Sequence, residues 1–275
     1  MPITLASNNY GKSRVRVVKV TRHADRHDLA ELTVSVQFEG AFDAVHLSGD
    51  NSSVLPTDTM KNTVNALAKA WSGEQIEDFG CQLTDHFLRD NPQVSHVRIK
   101  IAQTEWTRIA QHAFARSSEE KRTTHIAATR TSVGIESGVE NLIVLKTSGS
   151  AFEGYIKDRY TTLKETTDRI FATAITATWT YRTPQVAFGS CWRQARAAIL
   201  RTFIERDSAS VQHTAYAMGE AVLQAVEDIT EIRLSLPNKH CLLIDMAPFG
   251  LDNANEIFVP TDEPHGLIEV SLCRT

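Results

Sequence analysis

The order of predicted secondary-structure elements repeats along the chain, and this repeat constrains the fold more than any single motif. Apolar and polar residues alternate over 14–20 and again over 32–38, and a period of two is typical of an antiparallel hairpin with one solvated face. Two amphipathic helices and two strands follow, and the same order returns after about 135 residues. The pattern predicts two tandem ββααββ units, residues 1–135 and 136–275, each a four-stranded antiparallel sheet with two helices on one face.

Apolar stripes at helical spacing place the predicted helices. In the first half, Thr57 is the predicted N-cap of one helix, and a Ser72-x-x-Gln75 capping box predicts the start of the next. In the second half, one helix carries residues 192–203 and the last helix begins at Val211. The remaining predicted strands are 97–101, 122–131, 141–146, 175–181, 232–236, 241–245, 257–259 and 268–272.

The edges of the predicted sheets indicate an oligomer. A four-stranded sheet has two edges whose backbone N–H and C=O groups need partners or cover. Joining units edge to edge, within the chain and then between chains, pairs these groups and closes a β-barrel with the helices outside. We therefore expect an α+β fold that assembles from several copies.

The composition is that of a globular protein, since 42% of the 275 residues are hydrophobic and 23% are charged. A net charge of −4 gives no general attraction to nucleic acid or to an anionic membrane. No segment resembles a membrane span, a secretory signal or a C-terminal Ser-Lys-Leu tripeptide. We expect a cytoplasmic protein with neither nucleic acid nor membrane as a partner.

The cysteines and histidines argue against a metal centre. The four cysteines form no C-x-x-C pair, so the spacing predicts neither a disulfide scaffold nor a thiolate zinc site. His23 and His27 are the only histidines at helical spacing, and they fall in a predicted hairpin connector without an H-E-x-x-H motif. Phosphate-binding and dinucleotide-binding glycine motifs are absent too. We expect no metal site, and a cofactor would have to be bound without the usual motifs.

A polar segment at 237–240 interrupts what is otherwise the pattern of a buried strand. Pro237 removes a backbone donor and favours an extended Leu236, so the sequence predicts a kink or bulge here. Asn238 and His240 are two residues apart, which directs both side chains to one face. The alternative is an edge-strand turn with solvated polar residues.

Four other stretches carry residues suited to a planar polar ligand. Tyr10-Gly11-Lys12 precedes the first predicted strand, and residues 49–58 run into a helix N-terminus, which favours anions. Phe152 and Arg169 flank a threonine-rich stretch; an arginine can hold a planar anion bidentately while an aromatic ring stacks on it. Gln212 can both donate to and accept from a heterocycle. Each also has an ordinary structural explanation: a loop lysine, a helix cap, an ion pair or a core ring.

Taken together, these stretches resemble the urate oxidase (uricase) family over essentially the whole chain. The resemblance is carried by Tyr10-Gly11-Lys12, Gly49-Asp50-Asn51, Thr57-Asp58, Lys61-Asn62-Thr63, the Thr-Thr-Leu-Lys-Glu-Thr-Thr-Asp-Arg run that ends at Arg169, and Ser235-Leu236-Pro237-Asn238-Lys239-His240. It implies the tunnelling fold (T-fold), with two tandem units per chain and a homotetramer around a central tunnel. It also implies oxidation of urate by dioxygen and water to 5-hydroxyisourate and hydrogen peroxide, without a cofactor.

The resemblance also implies a role for each matched residue. Lys12, Thr57 and His240 would form a proton relay. The substrate-binding residues would be Thr57, Asp58, Phe152, Leu163, Arg169, Val211, Gln212 and Asn238. Phe152 would lie under the purine ring, Arg169 and Gln212 would hold its edge, and Asn238 would bound the space for dioxygen and water. The neighbouring subunit would supply Lys12, Thr57 and Asp58.

One departure and two alternatives accompany this interpretation. Pro56 stands where many relatives carry alanine, which stiffens the loop and bears on substrate affinity. The missing peroxisomal tail indicates a bacterial-type enzyme. The alternatives are a pterin-type T-fold enzyme, for which no zinc ligand set is evident, and a non-catalytic purine-binding T-fold protein, which would not need Lys12, Thr57 and His240 together.

Overall fold

The computed structural model describes residues 3–116 and 118–275. The chain up to residue 146 contains β1 (Tyr10–Arg22), β2 (His27–Gly40), α1 (Asp43–Leu47), α2 (Thr57–Ala70), α3 (Ile76–Asp90), β3 (Val94–Thr104), β4 (Thr107–Ala110), β5 (Ala113–Ala115), β6 (Lys121–Ala128) and β7 (Val133–Lys146). It continues with β8 (Phe171–Tyr181), α4 (Phe188–Glu205), α5 (Val211–Ala225), β9 (Ile229–Leu243), a 3-10 turn (Ala247–Phe249) and β10 (Phe258–Cys273).

The described chain divides into two compact units. The first contains the residues up to Gly138 together with Thr180–Ser190, and the second contains Val139–Trp179 and Cys191–Thr275. Strands β7 and β8 and helix α4 therefore each contribute residues to both units.

The first unit is an antiparallel sheet covered by two helices. Its strands pair in the order β1-β2-β3-β6, with Val36 of β2 opposite Ile99 of β3. Alternate residues of β2 are fully buried, as the period of two predicts. The apolar faces of α2 and α3 complete this core; fully buried members include Val34, Val36, Phe38, Val64, Phe79, Leu83, Phe87, Ile99 and Ile101.

A buried charge cluster fastens α3 to the sheet of the first unit. Glu77 is completely buried, and its carboxylate accepts hydrogen bonds from Arg122 at 2.6 Å and from the Ser137 hydroxyl at 2.5 Å. Arg122 also donates to the Gln75 side chain at 2.8 Å. Because a buried carboxylate is costly unless it is paired and hydrogen-bonded, these partners make its burial tolerable.

The second unit has strands β8, β9 and β10 in that order, and β9 and β10 are antiparallel. Helix α5 packs against β9 and β10. The core includes Trp179, Ile175, Met218 and Val222, all fully buried. The predicted α+β class with antiparallel sheets is confirmed.

Several local predictions are wrong. Thr57 is not an N-cap, because Pro56 holds that position and no side chain caps α2. Gln75 precedes α3 without a side-chain cap, and the Ser72 hydroxyl accepts instead from the Glu74 N–H at 3.3 Å. The hairpin β4–β5 and the short helix α1 were not predicted, since neither has an apolar pattern of its own.

The predicted strand breaks near the C-terminus are also wrong. Residues 232–236 and 241–245 were predicted as separate strands, but β9 runs unbroken from Ile229 to Leu243, and β10 likewise joins the two short predicted strands opposite it. Within the described ranges, no helix is long and apolar enough to cross a membrane.

Candidate active site

Lys12 lies on β1 beside a bulge. The strand begins at Tyr10, so the prediction that Tyr10-Gly11-Lys12 precedes the first strand is wrong. Lys12 pairs with Val36, and the register shifts before Val15, where Arg14 has a φ of 58°. Gly11 is required by close packing, because an added Cβ would lie 1.9 Å from the Val36 carbonyl oxygen. The bulge and the glycine fix the backbone that carries the half-buried Lys12.

Thr57 and Asp58 are the first two residues of α2. The preceding Pro56 has a φ of −55°, which is the value that the proline ring itself favours. The Asp58 carboxylate accepts hydrogen bonds from Lys61 and, at 3.1 Å, from Asn62. The bond from Lys61 and its charge lower the pKa of Asp58, and the charge of Lys12 contributes a smaller effect in the same direction. Lys12 therefore lies within electrostatic reach of the start of α2.

Phe152 and Arg169 lie together in the irregular chain between β7 and β8. Phe152 and Thr166 form an isolated antiparallel bridge, with N–O distances of 2.8 and 3.1 Å. The Arg169 guanidinium carbon lies 5.2 Å from the centroid of the Phe152 ring, a cation–π distance. Burial lowers the pKa of the half-buried Arg169, which nevertheless stays a cation because its ordinary value is so high. A flat anion could use both the ring and the charge.

The Asp168 carboxylate is hydrogen-bonded to residues 148–150, the segment just before Phe152. It accepts hydrogen bonds from the Ser148 hydroxyl at 2.8 Å, the Gly149 N–H at 2.7 Å and the Ser150 N–H at 3.3 Å. The bonds from Ser148 and Ser150 are the main causes that lower the pKa of Asp168. Asp168 thus ties Arg169 to the segment that leads into Phe152.

Val211 and Gln212 begin α5, as predicted. Ser210 is the N-cap, and its hydroxyl accepts from the His213 N–H at 3.1 Å. Val211 is buried, whereas the Gln212 side chain is exposed and makes no hydrogen bond within the described residues. The helix start is joined to the Phe152 segment through Ser208, whose carbonyl accepts from the Ala151 N–H at 2.7 Å.

Leu163 and the aromatic residue Tyr155 complete this region. The Leu163 side chain is 57% exposed, but its carbonyl accepts a hydrogen bond from the Tyr155 hydroxyl at 2.6 Å. The Tyr155 ring stacks on Phe152 at 4.9 Å with an interplanar angle of 14°. Tyr155 was not predicted as a site residue; its one sequence signal is an aromatic residue three positions after Phe152.

Asn238 and His240 lie on the unbroken strand β9. They are half-buried and pair with Gly266 and Thr261 of β10. Strand β9 neither kinks nor turns at 237–240, but the predicted bulge is present in the pairing: the register shifts between the Asn238–Gly266 and His240–Thr261 pairs, and the extra residues lie in β10. Pro237 has no backbone N–H to donate. Its carbonyl accepts a hydrogen bond from the Thr173 hydroxyl at 2.9 Å.

These residues fall into two groups. Lys12, Thr57 and Asp58 belong to the first unit and form what we call the relay group. The binding group belongs to the second unit and contains Phe152, Leu163, Arg169, Val211, Gln212 and Asn238. His240, the third residue of the predicted proton relay, also belongs to the second unit. Across residues 3–116 and 118–275, no three His, Cys, Asp or Glu side chains converge as metal ligands would.

Comparison with known proteins identifies the family. The model of the Uricase family matches residues 8–127 and 135–269. The chain belongs to the uricase family. The resemblance predicted from the sequence motifs is thereby confirmed.

Individual uricases are similar over nearly their full length. The uricase of Arthrobacter globiformis is 44% identical over 274 residues, which cover 99% of this chain and 90% of that protein, and the uricase of Dictyostelium discoideum is 37% identical, with 99% and 98% covered. The crystal structure of the Arthrobacter uricase superposes with a TM-score of 0.96 at 43% identity and covers 100% of this chain and 96% of its own. A structure of a Bacillus sp. TB-90 urate oxidase, at 23% identity and a TM-score of 0.85, shares the fold over 97% of this chain and 99% of its own.

The two segments of the uricase match contain the two groups of residues. Residues 8–127 include all three members of the relay group, and residues 135–269 include the whole binding group. Tyr10 and Asp168 lie in the sequence motifs, which indicated no role for them, and Tyr155 lies outside those motifs. The contacts of these three residues join parts of the chain that are apart in sequence, so they are seen only in the structure.

Proposed function

We propose that this member of the uricase family oxidises urate with dioxygen and water to 5-hydroxyisourate and hydrogen peroxide, without a metal or an organic cofactor. The observation that carries the proposal is the Arg169 guanidinium 5.2 Å from the Phe152 ring, in a chain whose match to the uricase family spans both groups of residues. A ring beside a half-buried cation suits a flat anion such as urate.

In the proposed complex, urate lies on Phe152 and its edge faces Arg169 and Gln212. A guanidinium supplies a positive charge and several donors, and a carboxamide supplies one acceptor and further donors. Together they match the hydrogen-bond donors and acceptors that alternate along the edge of a purine anion. Leu163 and Val211 bound the sides of the ring. The exposed Gln212 side chain is not held by another residue of the described chain, so it is available to a ligand.

In the proposed reaction urate itself reduces dioxygen, so the protein has to position the reactants and transfer protons rather than supply a redox cofactor. A doubly deprotonated urate gives two electrons to dioxygen, water adds at C5, and the balance is one 5-hydroxyisourate and one peroxide. In our proposal Lys12, Thr57 and His240 move the protons, Asp58 stays close to Lys12, and Asn238 bounds the space in which dioxygen and then water react. Such positioned proton transfer accelerates reactions by roughly 10²–10⁴-fold.

We further propose a cytoplasmic homotetramer of T-fold chains, each with tandem units at 1–135 and 136–275. Strand β1 is the end strand of the first unit's order and β10 is the end strand of the second unit's order, and an exposed strand edge favours pairing with another chain. Pairing of copies would close a β-barrel with helices outside. In this assembly a site takes its relay group from one subunit and its binding group from the neighbour.

The test is turnover of urate by the purified protein in metal-free buffer with a chelator. We expect the ultraviolet absorbance of urate to disappear while peroxide accumulates in equal amount. Turnover that requires an added metal ion or flavin would overturn the cofactor-free reaction. Tight binding of urate without any turnover would instead indicate a purine-binding protein.

A further inference from the structure

We propose that Tyr10 is a positioning residue for the reaction, because its hydroxyl holds the loop that delivers Thr57 to the strand carrying Lys12. The inference rests on the proposed roles of Lys12 and Thr57. It assigns a role to the one member of the Tyr10-Gly11-Lys12 motif that neither close packing nor the proton relay explains.

The central contact joins strand β1 to the loop before α2. The Tyr10 hydroxyl accepts a hydrogen bond from the Leu55 backbone N–H at 3.0 Å. Leu55 lies two residues before Thr57, and Tyr10 lies two residues before Lys12. Because alternate side chains of a strand share a face, Tyr10 and Lys12 point to the same side of β1. One hydrogen bond therefore connects the backbone positions of both relay residues.

The Tyr10 ring is itself held in place. It packs edge-to-face on Phe42 at 4.8 Å and on Phe38 at 5.8 Å, and both phenylalanines are fully buried. Burial raises the pKa of Tyr10, so the hydroxyl stays neutral and keeps its proton. Gly11 cannot shift, because its backbone already lies against the Val36 carbonyl. The packing of the ring and of Gly11 therefore fixes the position of the Tyr10 hydroxyl oxygen, which accepts from the Leu55 N–H.

The loop before α2 needs an anchor outside the helix. No side chain caps α2, Pro56 has no N–H, and the Pro56 carbonyl accepts from the Met60 N–H at 3.2 Å, which ties it only to the helix itself. Besides Tyr10, the loop is held by the Gln93 side-chain amide, which donates to the Ser53 carbonyl at 2.8 Å. The position of the Thr57 hydroxyl is therefore set by the backbone of the loop, and Tyr10 is the anchor nearer to it in sequence.

Replacement of the hydroxyl alone tests the inference. Tyr10→Phe keeps the ring packing and removes the acceptor, and we expect kcat to fall about tenfold, since small displacements of reacting groups slow a reaction strongly. The KM for urate should change less than kcat, because Phe152, Arg169 and Gln212 lie elsewhere in the chain, and a mere loss of stability would not separate the two constants. Tyr216→Phe, on the exposed face of α5, is the matched control and should leave both constants unchanged.

The outcomes separate this inference from the proposed function. A wild-type kcat in Tyr10→Phe, while Lys12→Met is inactive, overturns the role of Tyr10 and leaves the proton relay intact. Wild-type turnover in Lys12→Met overturns the relay itself. If Tyr10→Phe does not fold, Gln93→Leu removes the second anchor of the same loop; a fall in kcat at constant KM then supports the positioning of the loop, and unchanged kinetics overturn it.

Discussion

Lys12 and Thr57 lie on a strand and at the first turn of a helix, whereas Phe152 and Arg169 lie in irregular chain between β7 and β8. The relay group depends on backbone geometry: a bulge, a glycine against a carbonyl and a proline with its preferred φ. The binding group depends on side chains that hold the backbone, such as Asp168 with the N–H groups of Gly149 and Ser150.

This difference matches what each half is proposed to do. Proton transfer requires hydrogen-bond distances that vary little, and regular elements hold side chains more accurately than loops do. Stacking and charge contacts tolerate small displacements, so a loop braced by side chains suffices for binding. The comparison predicts that changes at Lys12 alter turnover, whereas changes at Phe152 or Arg169 alter affinity.

Lys12→Met should have the largest effect. We expect kcat to fall roughly 10²–10⁴-fold, because the proposed relay loses its amine, while an unreactive purine analogue still binds with its usual affinity. Steady-state kinetics and a binding titration measure the two effects. Lys69→Met, in the exposed last turn of α2, is the control, and a loss of analogue binding in Lys12→Met alone would contradict the division of labour.

Two glycine substitutions compare the backbones of the two halves. In Gly11→Ala the new Cβ meets the Val36 carbonyl at 1.9 Å, and no side chain can move aside, so we expect a loss of about 3 kcal/mol of unfolding free energy. Gly154 has a φ of +71° and open space around it, so Gly154→Ala should cost only about 1 kcal/mol. Urea unfolding measures both values. Equal losses would show that the first half is no more tightly constrained than the second.

Arg169→Lys tests the binding half. Lysine keeps the charge but loses the planar fork, so we expect the KM for urate to rise roughly tenfold, the equivalent of about 1.4 kcal/mol, with kcat changed little. The exposed Arg159 offers a matched control in Arg159→Lys. A fall in kcat at constant KM would place Arg169 in the chemistry rather than in binding.

The smallest expected effect concerns the hydrogen bonds that the Asp168 carboxylate accepts from residues 148–150. Hydrogen bonds lower the pKa of its carboxyl in the folded protein, so they stabilise the fold at pH values above the ordinary carboxyl pKa of about 3.9. The stabilisation is lost as the pH falls through the lowered folded value. Asp168→Asn should therefore lower the unfolding temperature at pH 7 and have progressively less effect as the medium becomes more acidic. A difference that does not change with pH would contradict the role of the charge.

Local patterns predicted the regular parts of this chain well. The alternation in β1 and β2 and the stripes of α2, α3 and α5 fix which faces are buried, because those faces depend only on residues near in sequence. The bulge at Asn238 was predicted, but its extra residues lie in the partner strand β10, since a proline in a strand indicates an irregularity without showing which of the two strands carries it. The caps of α2 and α3 were misjudged because a serine or threonine near a helix start is also free to bond elsewhere.

The candidate site divides in the same way. Short motifs were enough to single out Lys12, Thr57, Arg169 and His240 and to predict the family. Contacts such as Tyr10 with Leu55, or Asp168 with Gly149, join residues 45 and 19 positions apart, and no local pattern indicates them.

Mixed oligomers of two inactive variants test the central claim most directly. Lys12→Met and Arg169→Ala carry different affinity tags, are co-expressed, and are purified for both tags before assay at a urate concentration far below the KM of Arg169→Ala. If each site takes its relay group and its binding group from different copies, about a quarter of the sites regain both and activity returns to about that fraction of wild type. Activity no higher than that of the two parent variants, in oligomers confirmed to contain both chains, would contradict a site shared between subunits.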